Sequence, residues 1–187
     1  MDRAEEAALV ARLREGDKAA LRVVYTSFSD RLFGFLLRLS RRRDVAEDLH
    51  QETWVSVARH AERLADGTDL AAWLFTIARN KFRSWRRWAA LDFTRFAFDA
   101  EGAEPEGPSA RPDAGDEIAA LEKALEALPM AHREVLLLVG VEGLEPKQAA
   151  EVLGIQPEAF RQRLSRARAA LVEKLEGPAR KDAAMIG

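Results

Sequence analysis

The chain has 187 residues, 48% of them hydrophobic and none of them cysteine, enough apolar material for one ordinary domain or two compact ones, with no thiol for a disulfide, a metal site or a nucleophile. No run of about 18 residues lacks charge, and the segment from Met1 to Ala20 has no apolar stretch of signal-peptide type, which predicts a cytoplasmic protein without membrane insertion. A net charge of -2, from 29 Lys and Arg against 31 Asp and Glu, excludes a protein that holds DNA by bulk electrostatics, because neutralising phosphate takes cations.

From Glu5 to Trp88 apolar residues recur at three- and four-residue spacing, interrupted only at Gly16 and at Ala65 to Asp69, which predicts several packed helices and a first domain over 5–90. Asp44 and Glu47 have the spacing of a capping box. After them Ala46, Leu49, Thr53 and Val57 share an inward face, leaving Asp48, Gln51, Glu52 and Val55 on another side. Arg79, Lys81, Arg83, Arg86 and Arg87 form a basic run. Helical spacing assigns Trp73, Trp85 and Trp88 to packing before stacking, with Trp73 and Trp85 at least half in the core.

Residues 91–116 read as a linker, with the Pro, Gly, Ala and acid of 101–115 giving the composition of a mobile one. The segment Asp92-Phe-Thr-Arg-Phe-Ala-Phe is unusually aromatic for such a place, and two readings of it stand: a partner-binding stretch or an extension of the first core. A second domain over 117–176 runs through Ile118, Leu121, Leu125 and Leu128, then a helix around Val135 to Val139, then a helix-turn-helix pattern from Glu145 to about Leu175. A tail covers 177–187. No strand alternation of any length occurs, so the predicted fold is all-α, two small helical domains joined by a flexible acidic linker.

In the helix-turn-helix segment Pro146 suits a first helical turn, Gly154 supplies a left-handed turn after Leu153, and Pro157 starts the next helix. Phe160, Leu164, Ala167, Leu171 and Leu175 then cluster on one face. Gln162, Ser165, Arg166 and Ala169 lie opposite, with Arg161 and Arg163 on the flanks. A solvated face on an ordinary helical hairpin is the plain alternative. The order Pro, helix, Gly turn, Pro, basic helix favours DNA binding, with Arg and Gln early in the second helix reaching base edges in the major groove.

Two long motifs carry a family resemblance. Asp44-Val-Ala-Glu-Asp-Leu-His-Gln-Glu-Thr-Trp-Val, followed by Leu70-Ala-Ala-Trp-Leu-Phe-Thr-Ile-Ala-Arg-Asn, resembles region 2 of the extracytoplasmic-function (ECF, sigma-70 group 4) RNA polymerase sigma factors. Ala124-Leu-Glu-Ala-Leu-Pro-Met-Ala-His-Arg-Glu-Val-Leu-Leu-Leu, with the helix-turn-helix after it, is similar to their region 4. The resemblance implies that Asp48, Gln51, Glu52 and Val55 face the coiled coil of the polymerase beta-prime subunit. It implies that the loop with Asp66, Gly67 and Thr68 holds a base flipped from the minus-10 element, while Arg79, Arg83, Arg86 and Arg87 hold the backbone and Asn80 reaches a base edge. Pro157, Glu158, Arg161, Gln162, Arg163 and Arg166 would face the minus-35 element. Glu158 stands where family members often carry a small residue, and Ala149 where a large aliphatic is commoner. The implied partners are core RNA polymerase, through its beta-prime and beta subunits, promoter DNA, and an anti-sigma protein.

An enzyme is not expected, since the sequence has neither a Gly-rich phosphate loop nor a nucleophile elbow. Glu47 and His50 are spaced like half of a carboxylate-bridged metal motif, but no second pair exists. His60 and His132 have no ligand partners nearby, so neither metal nor cofactor is predicted. Two rival regulators remain: a helix-turn-helix activator, which leaves Asp48, Gln51 and Glu52 without a role, and a sigma-like decoy for an anti-sigma protein, which would usually accompany a receiver domain that this length does not accommodate.

Overall fold

A computed structural model describes residues 2–95 and 115–185, with side chains for 2–91, Gly115 and 117–176. Among the described residues there are helices and no strand. The chain divides into two compact units, Met1–Gly107 and Pro108–Gly187.

The first unit contains α1 (Arg3–Arg14), α2 (Lys18–Ser40), α3 (Arg43–His60), a 3-10 turn (Ala61–Arg63) and α4 (Leu70–Arg95). Asp2 caps α1 by accepting from the Ala4 and Glu5 amides, and Asp17 caps α2 through the Ala19 amide at 2.7 Å. Along α2 the buried residues Ala20, Val24, Phe28, Leu32, Phe35, Leu36 and Leu39 form a stripe of helical period. α3 and α4 pack on that stripe, and the ring of Phe35 meets that of Phe75 edge-on at 5.3 Å. Ala46, Leu49, Thr53 and Val57 face inward as the periodicity predicts.

The start of α3 differs from the expected capping box. Its N-cap is Arg42, with no side-chain cap bond. Arg41 turns into the left-handed region at φ 58°, and Ser40 Oγ donates to the Arg42 carbonyl at 3.0 Å. That carbonyl already accepts from the Ala46 amide, so the helix has begun before Asp44. The Asp44 carboxylate accepts from the Arg42 guanidinium, and Glu47 from Arg43 at 2.9 Å, instead of capping. The Arg42 guanidinium holds the Asp44 carboxyl below its usual range.

In the second unit α5 (Asp116–Glu126) and α6 (Met130–Leu136) pack against α8 (Pro157–Met185), with α7 (Pro146–Leu153) beside it. α6 widens into a π turn over Leu137–Val141, where the Glu142 amide donates to the Leu137 carbonyl. Arg133 is buried, and its guanidinium donates to the Leu125, Glu126 and Leu128 carbonyls, which ties the end of α5 and the residues just after it to α6. The core joins Leu125, Leu128, Val135 and Leu138 to Ala149, Val152, Leu153, Phe160, Leu164 and Ala167.

Helical backbone runs further than the apolar pattern indicated. α4 continues to Arg95, into the stretch read as linker, and α8 to Met185, past Leu175. Leu171 is only partly buried and Leu175 is exposed, so the face begun by Phe160 is less covered toward the end of the helix among the described residues. The acidic stretch 101–114 and the side chains of the aromatic segment lie outside the described residues.

Candidate functional site

α3 exposes one strip. Asp48, Gln51, Glu52 and Val55 are all exposed, and with Ser56, Arg59 and Lys81 they line a groove of about 440 Å³. Lys81 reaches across from α4, its Nζ 3.3 Å from Glu52 Oε2. A pair this exposed contributes little to stability. Its consequence is placement, because Lys81 and Ser56 also line a second, larger cleft.

That cleft, of about 670 Å³, opens between the end of α3, the loop 64–68 and one side of α4. The turn closes through Thr68, whose amide and Oγ1 both donate to the Ala65 carbonyl, at 3.2 and 2.7 Å. Gly67 sits at φ 72° with open space around its Cα, so glycine is needed there for conformation and not for room. Asp69 Oδ1 accepts from the Ala72 amide at 2.8 Å and starts α4. Trp73 is half-buried in the wall, with Asn80, Lys81 and Arg87 along α4 and His60 and Arg63 opposite. An open cleft with an aromatic wall, a tight polar turn and several cations suits an unstacked base and its phosphates.

Not every expected residue lies there. Asn80, Arg83, Arg86 and Arg87 are exposed, but Arg79 is 7% exposed and is engaged with other groups of the protein. It belongs to the buried stripe with Phe75, Ala78 and Phe82, so it is removed from the backbone-holding set. Asp66 is exposed at the turn and ion-paired with Arg14 of α1. Trp85 is half-buried and tilted on Phe82, whereas Trp88 is 66% exposed and so is not the packing group that its spacing suggested. Lys81 and Ser56, which line both hollows, were not singled out as site residues in the sequence, because nothing local marks a contact between α3 and α4.

The glutamate and histidine of the half metal motif are occupied otherwise. Glu47 pairs with Arg43, and the Trp54 indole N–H donates to His50 Nε2 at 2.9 Å. The same Nε2 lies 3.2 Å from the Ser29 carbonyl, and burial holds the ring's pKa below its usual value against the opposing pull of that carbonyl and Asp30. Tyr25 packs on Trp54 at 4.7 Å.

In the second unit Gly154 ends α7 in the left-handed region at φ 62°, and Pro157 opens α8, as the punctuation predicts. Phe160, Leu164 and Ala167 are buried; Pro157, Glu158, Arg161, Gln162 and Arg166 are exposed, with Arg163 at the edge. Arg161 pairs with Glu158 at 3.3 Å. A carboxylate that would oppose phosphate is thus matched to a neighbouring guanidinium on the same exposed face. Ala149 is fully buried.

Comparison with known proteins accounts for both units. Residues 24–90 match the family model of sigma-70 region 2, and residues 118–171 that of sigma-70 region 4. The chain is 36% identical over 142 residues to the ECF RNA polymerase sigma factor EcfG of Rhodopseudomonas palustris, covering 75% of this chain and 76% of the relative. The chain belongs to the ECF family of RNA polymerase sigma factors. It is likewise 36% identical over 158 residues to the sigma factor CarQ of Myxococcus xanthus, covering 83% of this chain and 88% of that one. Among solved structures it resembles the sigma factor RpoE in complex with the anti-sigma factor NepR from Bartonella quintana, with a TM-score of 0.72 and 29% identity over 81% of this chain and 94% of that one. CnrH in complex with the cytosolic domain of CnrY matches with a TM-score of 0.69 and 26% identity, over 91% and 97%. As an ECF sigma factor the protein is a transcription initiation factor that associates with RNA polymerase and directs it to promoters. No helix among the described residues is long and apolar enough to cross a membrane.

Proposed function

We propose that this sigma factor works in the cytoplasm by three separate surfaces and performs no covalent chemistry of its own. The groove of Asp48, Gln51, Glu52 and Val55 takes the beta-prime subunit of core polymerase. The cleft behind the turn Ala65–Thr68 takes an unstacked base of the minus-10 element, with Asn80, Arg83, Arg86 and Arg87 along its DNA path. The exposed face of α8, from Pro157 to Arg166, reads the minus-35 element. Domain limits near 5–90 and 117–176, with a linker between them, go with this division of labour. The likeness to a sigma factor solved with an anti-sigma factor supports an anti-sigma partner that holds this chain in reserve.

The observation that carries this reading is the adjacency of the two hollows on α3 and α4, one lined by the carboxylates Asp48 and Glu52 and one edged with cations, sharing Ser56 and Lys81. Polymerase and DNA can then meet side by side on one small domain, with Ser56 and Lys81 at the border between them. The combined substitution Asp48→Lys and Glu52→Lys tests it. Both sites are exposed, where a substitution changes stability by about 0.5 kcal/mol or less, so helix content should persist by circular dichroism while association with core polymerase is lost in a pull-down. Unchanged association would remove the groove from the polymerase interface.

A further inference from the structure

α1 precedes the residues that match the region 2 model, yet it is fastened to the promoter-reading turn at two points. Glu6 Oε1 accepts from the Leu70 amide at 2.9 Å, a bond between residues 64 positions apart and partly buried. Arg14 pairs with Asp66 at the tip of the turn. The helix that carries these groups is itself fixed: Leu9, Val10 and Leu13 are buried, it packs on α2 and the 3-10 turn, and Asp2 and Glu5 close its first turn as a capping box.

The first amides of any helix have no partner within it, and carboxylates are the strongest acceptors for them. α4 meets that need at two positions by different means. Its own Asp69 takes the Ala72 amide, whereas the Leu70 amide is taken by a carboxylate from another helix. The turn Ala65–Thr68 is therefore pinned on both sides, by Asp66 to Arg14 and by the first residue of α4 to Glu6. Trp73 of the cleft wall lies only one turn further along α4.

We propose that α1 is a brace for minus-10 recognition, and that Glu6 and Arg14 are positioning residues which hold the turn and the first turn of α4 in the form that receives a base. The inference rests on the cleft being the minus-10 site. Of the two fastenings Glu6 is the stronger, since its bond is partly buried while the Asp66 side chain is 87% exposed.

The experiment uses holoenzyme assembled from core polymerase and each variant, with a single-stranded DNA pool carrying a randomised hexamer from which the wild type has selected its preferred sequence. Glu6→Ala should weaken binding to that sequence roughly two- to tenfold, the equivalent of one hydrogen bond, and relax base preference at one position. Affinity for core polymerase should stay unchanged. Glu6→Gln keeps an acceptor oxygen and should recover most of the loss. Arg14→Asp should weaken binding less than Glu6→Ala. Wild-type binding by Glu6→Ala holoenzyme, or no rescue by the Gln variant, overturns the brace. Asn80→Ala and Arg87→Ala separate the two levels. If they lose binding and Glu6→Ala does not, only the brace fails; if they too bind as wild type, the cleft is not the minus-10 site and the brace falls with it.

Discussion

In the second unit the candidate reading groups stand on one exposed helix face, and Arg161 pairs with a carboxylate three residues before it. In the first unit the corresponding groups are tied across long stretches of chain: Lys81 to Glu52, Arg14 to Asp66, the Leu70 amide to Glu6. The reading face of α8 is thus a detachable layer on a packed hairpin, while the cleft is shaped by the same contacts that hold its domain together. Specificity should be easy to change in the second unit at little cost in stability, and hard to change in the first without moving the scaffold.

The largest effect that would sharpen this contrast is on α8. Arg161→Ala and Gln162→Ala should each cost about 1 to 3 kcal/mol on the preferred minus-35 site and relax preference at one base position. Arg166→Ala, a turn later, should weaken all sites alike and lower the salt dependence by roughly one phosphate contact. All three should unfold like the wild type. Holoenzyme binding to a minus-35 library at two salt concentrations measures both kinds of loss. Unchanged base preference in the first two variants would displace the reading face from this part of α8.

A smaller effect probes how far the first unit depends on buried polar contacts. His50 has its pKa held below 6.5 by burial between α2 and α3, so the unfolded chain takes up its proton first as pH falls. Stability from His50 is then complete above about pH 6.5 and lost progressively below it, toward the lowered folded value. Asp17 and Asp44, both held below 3.8 by arginine partners, contribute above that pH and lose their part only in stronger acid. Thermal midpoints between about pH 7.5 and 5 should fall in the wild type and fall less in His50→Gln. Equal slopes would remove His50 as the titrating group.

The same contrast explains what the sequence disclosed. The helix-turn-helix is local, so Pro146, Gly154 and Pro157 mark its boundaries and the period of Phe160, Leu164 and Ala167 marks its buried face. The strip on α3 was legible for the same reason. The cleft was legible only as a glycine-bearing turn followed by a basic run, because its walls come from segments far apart in the chain. Arg79 shows the cost of reading charge alone. Its position among Phe75, Ala78 and Phe82 on the helical stripe already placed it inward, and counting it with Arg83, Arg86 and Arg87 passed over that period. The α3 cap was misplaced because the turn is made by the Ser40 hydroxyl on the Arg42 backbone and by the left-handed Arg41, which the Asp44 and Glu47 spacing does not register. Glu6 and Arg14 had no local signal, since each acts on a partner more than 50 residues away.

Transcription in vitro from a promoter pool, with purified core polymerase in the presence and absence of this chain, tests the central claim most directly. The account predicts specific initiation only when both are present, and only weak binding of duplex promoter DNA at physiological salt by the chain alone, as its net charge of -2 implies. Initiation no different with and without the chain, or tight and specific promoter binding by the isolated chain, would contradict it.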